Sequence, residues 1–273
     1  MDILTFRKIK QGTYECELNL NALYKDETEL EKFNKKWIAF LNSDHWNKKV
    51  FKRDGNTIKY SHKSWVPEKN DNRIPILIVA GNPAPQSTSE DVYYAFETNG
   101  SEHRFWKILR KLGFIDLPFD LKLMKSTFFD LDYVSPFRIG IDVTFTFPSS
   151  ASAQSWSGVQ GLQKLFGVKA LEKIFLSEKV RIQKLVTGFF KDNIVTIIAV
   201  QKDAYNMFAK NTYSLNKAVI GKLSSIYDLE GRDFRIYGAP PTRWMYTTKM
   251  QSALLQIKKD ILNKKTGKNK LSK

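Results

Sequence analysis

The chain has 273 residues, 42% of them hydrophobic and 13% aromatic, which excludes a disordered protein and allows one large domain or two small ones. Its 44 Lys and Arg against 28 Asp and Glu give a net charge of +16, which favours a polyanionic partner, nucleic acid before an anionic membrane. A merely soluble, Lys-biased surface has the same composition. The single cysteine, Cys16, excludes an internal disulfide and a cysteine-ligated iron–sulfur cluster.

The compartment is predicted from what the sequence lacks. No apolar run reaches the length of a membrane span, and the first residues lack the apolar block of a signal peptide. A single cysteine suits a reducing compartment. We therefore expect an intracellular protein, cytoplasmic (nucleoid-associated) or nuclear, that is not secreted and has no membrane partner.

Residues 1–72 are predicted to form an N-terminal addition packed on the main domain. Asp26-Glu27-Thr28 is typical of a helix start, because carboxylates favour the positive end of the helix dipole. Apolar residues then recur at helical spacing, which predicts a core face made of Leu30, Phe33, Trp37, Phe40 and Leu41. The pair Asp54-Gly55 predicts a tight hairpin turn.

Residues 73–262 are predicted to form the main domain, and residues 263–273 a Lys-rich, frayed tail. Strands alternate with helices here, which predicts an α/β fold with three α/β/α layers and a central, mainly parallel sheet of four strands. The predicted strands are residues 76–80, 138–145, 194–200 and 234–237, and the predicted helices are residues 102–112, 160–175 and 248–262.

The first predicted strand is an unbroken apolar run that ends in Gly81-Asn82-Pro83-Ala84-Pro85. Such a run is typical of a strand buried on both faces of a parallel sheet. The glycine permits a sharp exit and the prolines stiffen the loop, so Asn82 is held at the carboxyl end of the strand, where open α/β sheets bind ligands. An ordinary turn has similar residues.

Several segments of the main domain together carry a family resemblance. They are Ala80-Gly81-Asn82-Pro83-Ala84, Tyr93-Tyr94-Ala95, His103-Arg104-Phe105-Trp106 and Gly113-Phe114, followed later by Gln201-Lys-Asp-Ala-Tyr205. In order and spacing the chain resembles the uracil-DNA glycosylase superfamily, above all its mismatch-specific, thymine and deoxyinosine glycosylase branches. A few extra residues between Ala95 and Arg104 depart from the family pattern. The resemblance covers roughly residues 74–257.

The resemblance implies a uracil-DNA-glycosylase-like fold and a monofunctional DNA glycosylase of base excision repair. Such an enzyme, expected as a monomer, flips a deaminated base out of DNA and hydrolyses its N-glycosidic bond to leave an abasic site. No metal or organic cofactor is implied. Asn82 stands where the mismatch-specific branch has the asparagine that orients the attacking water. Gly81, Pro83 and Ala84 would bind the base, and Tyr94 would stack on it, the alternative being that the aromatic residues here only pack in the core.

The loop after the second predicted strand is rich in hydroxyl groups, and in the family this region reads the edge of the base. Asp142 is the only carboxylate near the pocket edge that could act as a base; the alternative is that it caps a strand or pairs with a surface arginine. Thr144 is assigned to base binding. Ser149 and Ser150 are assigned to DNA phosphates, although Ser-rich loops are common.

The loop after the fourth predicted strand, Ala239-Pro240-Pro241-Thr242, departs from the family pattern. Many relatives have a histidine here that supports the leaving base. The histidines of this chain fall elsewhere, and His103 is predicted to be a surface or capping residue. The next residues suit a wedge that fills the gap left by a flipped base, unless Trp244 instead packs on the last helix; they are Arg243, Trp244 and Met245.

The missing histidine keeps other functions open. The chain is alternatively a catalytically inactive, nucleic-acid-binding relative of the superfamily. A third possibility is a different hydrolase or transferase on the same scaffold, since a fold alone does not fix a function.

Overall fold

The structure, a computed structural model, describes residues 2–97, 99–150, 155–189 and 196–268. The chain divides into two units. The first combines Met1–Val66, Gly81–Ala95 and Asp142–Leu185, and the second combines Pro67–Ala80, Phe96–Ile141 and Val186–Lys273. The division therefore differs from the predicted boundary at residue 72, because the N-terminal residues share their unit with two later segments.

Strands and helices are mixed along the chain, so the protein is of the α/β class, as predicted. Numbered in chain order, the strands are β1 (Leu4–Lys10), β2 (Thr13–Asn19), β3 (Phe51–Asp54), β4 (Thr57–Lys63), β5 (Ile74–Ala80), β6 (Phe137–Val143), β7 (Thr196–Val200), β8 (Ser224–Leu229) and β9 (Arg232–Ala239). The helices are α1 (Leu20–Leu23), α2 (Glu27–Asn42), α3 (Asn47–Val50), α4 (Pro85–Ser89), α5 (Arg104–Lys111), α6 (Leu121–Asp130), α7 (Gly158–Phe166), α8 (Val168–Phe189), α9 (Lys202–Asn206), α10 (Leu215–Val219) and α11 (Thr248–Lys268). Within the described ranges, no helix has the length and hydrophobicity to cross a membrane.

The first unit contains an antiparallel sheet in the order β1-β2-β4-β3. Two local predictions are confirmed here. The Asp26 side chain accepts a hydrogen bond from the Thr28 N–H at 2.8 Å, and α2 begins directly after Asp26. The Asp54-Gly55 turn joins β3 to β4, and Gly55 has a φ of +55°, which glycine adopts without strain.

Aromatic side chains of α2 lie in the core of the first unit. Phe33, Trp37 and Phe40 are buried, as their helical spacing predicts. The ring centroid of Trp37 lies 5.5 Å from that of Phe51, and the centroid of Phe40 lies 6.1 Å from that of Phe147. Burying one such side chain contributes roughly 1.5–3 kcal/mol, so these contacts fasten the N-terminal residues to the loop after β6.

The second unit contains a five-stranded sheet in the order β6-β5-β7-β9-β8. β7 pairs in parallel with β5 on one side and with β9 on the other. The prediction of four strands is wrong because it omits β8, which pairs with β9 in antiparallel. β8 alternates exposed and half-buried residues, so it lacks the apolar run that indicates a buried strand. Its hairpin turn is Glu230-Gly231, where both residues have positive φ.

Some boundaries of the helices and strands in the structure also differ from the predicted ones. The predicted helix over residues 160–175 is divided between α7 and α8, because Gly167 interrupts it with a φ of +82°. β6 ends at Val143, two residues before the predicted end. α11 continues to Lys268, so part of the predicted tail is helical, and residues 269–273 lie outside the described residues. The predicted third strand is described only from Thr196, since residues 194 and 195 also lie outside.

His103 caps α5 in the second unit, which is one of the roles predicted for it. Its Nδ1 accepts a hydrogen bond from the Phe105 N–H at 3.1 Å, and burial lowers the pKa of the imidazole to about 4. An imidazole in the unfolded chain titrates near about 6.5. Between these two values the unfolded state binds the extra proton, so this group makes stability fall as the pH drops from about 6.5 towards about 4.

His103→Asn is expected to reduce this acid sensitivity, because asparagine caps a helix without titrating. Thermal unfolding between about pH 7 and about pH 4 measures the effect. The variant should match the wild type near neutrality and become the more stable of the two as the pH falls. His45→Asn is the control, since the His45 side chain is 74% exposed. If all three proteins lost stability in parallel, His103 would not be the group responsible.

Candidate functional site

Two loops that the sequence singles out lie together within the first unit. The carbonyl oxygen of Gly81 accepts a hydrogen bond from the Phe145 N–H at 2.9 Å, and that of Pro83 accepts one from the Ser149 N–H at 3.0 Å. Gly81 and Pro83 are buried, whereas Ala84 is half-buried. The loop after β5 is therefore fixed to the loop after β6 by backbone hydrogen bonds on both sides of Asn82.

Asn82 is half-buried between these loops, and its surroundings fix the direction of its amide. The Nδ2 group donates to Ser149 Oγ at 2.7 Å and lies 3.4 Å from the carbonyl oxygen of Pro83 and 3.5 Å from that of Phe147. Ser149 Oγ in turn donates its only hydrogen to the carbonyl oxygen of Gly158 at 3.1 Å. All three neighbours of Nδ2 therefore accept hydrogen bonds, so the NH₂ group must point at them.

This arrangement leaves the other end of the amide available. With Nδ2 held among acceptors, Asn82 Oδ1 points away from them, and no described residue donates a hydrogen bond to it. A carbonyl oxygen held in this way can accept a hydrogen bond from a water and so orient it. An aspartate would place a carboxylate oxygen against the same acceptors, which disfavours the charged form. The position therefore suits an amide and not a carboxylate.

Tyr94, the predicted stacking residue, lies in a strained loop of the same unit. Its φ is +52°, that of Asp91 is +62°, and such non-glycine conformations cost roughly 1–3 kcal/mol each. An ion pair joins Asp91 to Lys63 at 2.9 Å, and Lys10 lies 3.9 Å from the same carboxylate. Through these two lysines, the sheet β1-β2-β4-β3, here called the N-terminal sheet, holds this loop in place. Tyr94 is half-buried, whereas the neighbouring Tyr93 is 3% exposed, so Tyr94 is the more accessible ring.

Asp142 lies in a buried ion pair, which does not support its predicted role as a base. The carboxylate is fully buried, and its oxygens accept hydrogen bonds from Arg181 Nη1 at 2.9 Å, Ser64 Oγ at 2.5 Å and the Val143 N–H at 2.6 Å. His62 Nε2 lies 3.3 Å away. Although burial alone would raise it, the Arg181 guanidinium holds the pKa of this carboxyl well below its usual range. The partner is a largely buried arginine, whose side chain is 10% exposed, and not the surface arginine of the alternative prediction.

Two charged residues of helix α8 hold the loop after β6 in place through hydrogen bonds. Arg181 Nη2 donates to the carbonyl oxygen of Val143 at 2.6 Å, and Arg181 Nε donates to Glu178 Oε2 at 2.7 Å. Glu178 Oε1 accepts hydrogen bonds from both the N–H and the hydroxyl of Thr146, each at 2.6 Å. Sequence reasoning missed both residues. The available signal is a Glu-x-x-Arg pair, three residues apart on one face of a long helix.

The hydroxyl side chains of this loop are enclosed. Thr144 is 0% exposed, Ser149 is 2% exposed and Ser150 is 1% exposed. The prediction that Ser149 and Ser150 bind DNA phosphates is therefore not supported. Ser149 instead orients Asn82, a role that the sequence did not indicate. The following residues, 151–154, lie outside the described residues.

The predicted wedge lies in the second unit. Arg243 and Trp244 belong to a short 3₁₀ helix, Thr242–Trp244. Arg243 is exposed, Trp244 is half-buried, and Met245 is only 1% exposed, so Met245 is not placed to insert into DNA. Tyr246, which the sequence analysis did not single out, is 64% exposed. The centroid of its ring lies 5.3 Å from the guanidinium carbon of Arg104.

Comparisons with known proteins add no assignment. A scan against protein-family models finds no match, and a search of curated proteins finds none either. Among the described residues, no group of three or more His, Cys, Asp and Glu side chains is arranged to hold a metal ion. The functional argument therefore depends on the geometry around Asn82.

Proposed function

We propose that the protein is a monofunctional DNA glycosylase of the uracil-DNA glycosylase superfamily, with a three-layer α/β/α fold of that kind. It would act as a monomer in base excision repair, inside the cell. The observation that carries the proposal is the amide of Asn82, whose NH₂ group is held by three acceptors and whose oxygen is left available for a water.

The proposed reaction is hydrolysis of an N-glycosidic bond. The oxygen of a water held by Asn82 Oδ1 bonds to C1′ of the sugar. The bond from C1′ to the base nitrogen breaks, its electron pair leaves with the base, and a proton from the water ends on the base. An amide cannot take that proton, so catalysis relies on position and on stabilising the charges that develop. Tyr94 would stack on the flipped base.

A second function is favoured by two separate features of the chain. Asp142, the predicted base, is committed to its ion pair with Arg181. The loop Ala239–Thr242 contains no histidine. A relative of the superfamily that binds nucleic acid without cleaving it would have these features. It predicts tight, salt-sensitive DNA binding and no product.

The two functions are separated by one assay. The purified protein is incubated with labelled duplexes and single strands that carry uracil, hypoxanthine, xanthine or a G·T mismatch, and then treated with alkali to cut at abasic sites. Matched undamaged strands are the control. Cleavage specific to one lesion supports the glycosylase and identifies its base. Binding without cleavage supports the inactive relative, and a folded protein that neither binds nor cleaves contradicts both.

A further inference from the structure

Gln201 has the least favourable backbone conformation described in the second unit. It follows the last residue of β7 directly, with a φ of 114° and a ψ of 172°. This region of conformational space is populated almost only by glycine. Leu131, which also has a positive φ in this unit, has the common left-handed conformation that ends a helix. A strained residue of this kind persists only where the surrounding structure holds it, and such residues cluster at functional sites.

Gln201 also lies where an open α/β sheet binds ligands. In the order β6-β5-β7-β9-β8, the chain passes from β5 outwards to β6 and then returns to β7 on the other side of β5. The strand order therefore reverses between β5 and β7. Ligands bind at the carboxyl ends of the strands at such a reversal. Gln201 is the first residue beyond the carboxyl end of β7.

The amide of the Gln201 side chain makes no hydrogen bond that would stabilise the described structure. The side chain is half-buried, and its amide makes no hydrogen bond to another described residue. The backbone of Gln201 is held in place, because its carbonyl oxygen accepts a hydrogen bond from the Tyr205 N–H at 3.1 Å. The nearby Tyr205 and Tyr213 hydroxyls already donate to Asn211 and to the carbonyl oxygen of Ala239. A strained backbone thus presents an amide without a described hydrogen-bond partner directly beyond the carboxyl end of β7.

We propose that Gln201 binds the nucleic acid by hydrogen-bonding to the edge of a nucleobase. This inference rests on the proposed function. A glutamine amide offers a donor and an acceptor side by side, which matches the edge of a nucleobase that carries an acceptor next to a donor.

The test separates the effect of the Gln201 side-chain amide from the effect of the strained Gln201 backbone by comparing Gln201→Gly with Gln201→Ala. Gln201→Gly removes both, so it should raise the melting temperature by about 2–8 °C. Gln201→Ala removes the amide and keeps the strain, so its melting temperature should stay near that of the wild type. Both variants should lose about 10-fold in affinity for lesion-containing DNA, because both lose the hydrogen bonds of the amide. Leu131→Gly is the control and should leave the affinity for this DNA unchanged.

Each result has a distinct meaning. If the wild type excises a base and Gln201→Gly is more stable but otherwise equal to it, the role of Gln201 is overturned while the glycosylase stands. If the wild type binds DNA without excising any base, the glycosylase fails, and the affinity loss of the two variants still decides the role of Gln201. If the wild type does not bind nucleic acid, both proposals are overturned.

Discussion

Asn82→Ala is expected to lower kcat/KM for base excision by about 100- to 1,000-fold, the effect typical of removing one preorganised polar group from an active site. The variant loses the oxygen that would orient the water, but it removes no titratable group. DNA affinity should change little, because the amide would act on the water and not on the phosphates. Single-turnover excision, with duplex binding measured in parallel, tests both statements.

Two companion variants make this result specific to the orientation of the amide. Ser149→Ala removes the closest acceptor, at 2.7 Å, and leaves the weaker carbonyl contacts of Pro83 and Phe147. It should lower the rate by about 10-fold, less than Asn82→Ala. Asn82→Asp should not raise the rate, since its carboxylate would face the same acceptors. Full activity of Asn82→Ala would mean that the water, if any, is held elsewhere.

Arg181→Met is expected to destabilise the protein by about 3–5 kcal/mol, the range measured when one partner of a buried ion pair is removed. The change leaves the fully buried carboxylates of Asp142 and Glu178 without their cation. It also removes the donor that Arg181 provides to the carbonyl oxygen of Val143. Urea unfolding should show a lower midpoint, with the slope unchanged if unfolding stays two-state.

A matched control is available on the solvent-exposed face of the N-terminal sheet. Arg7 pairs with Glu15 there, and its side chain is 71% exposed. Arg7→Met should cost less than about 1 kcal/mol, because water screens an exposed pair and solvates the carboxylate that remains. Equal effects of the two substitutions would show that the buried cluster contributes no more than a surface pair.

Local sequence patterns were sufficient where the physical signal lies within a few residues. The start of α2 directly after Asp26 depends on the Asp26 side chain, which accepts a hydrogen bond from the N–H two positions away, and the turn at Gly55 depends on one glycine. β5 is an uninterrupted apolar run. β8 was missed because an edge strand with alternating exposure has little apolar signal, and its existence depends on pairing with β9.

The sequence by itself determined that Asn82 follows a buried strand on a stiff loop, since the apolar run, the glycine and the prolines are contiguous. Only the tertiary structure decided which way its amide points, because the acceptor Ser149 lies 67 positions away in the chain. Likewise, Asp142 is an ion-pair partner because Arg181, 39 positions away, is folded against it. The charge and orientation of a polar side chain depend on burial and on partners that folding brings together, and neither is encoded in its neighbours in sequence.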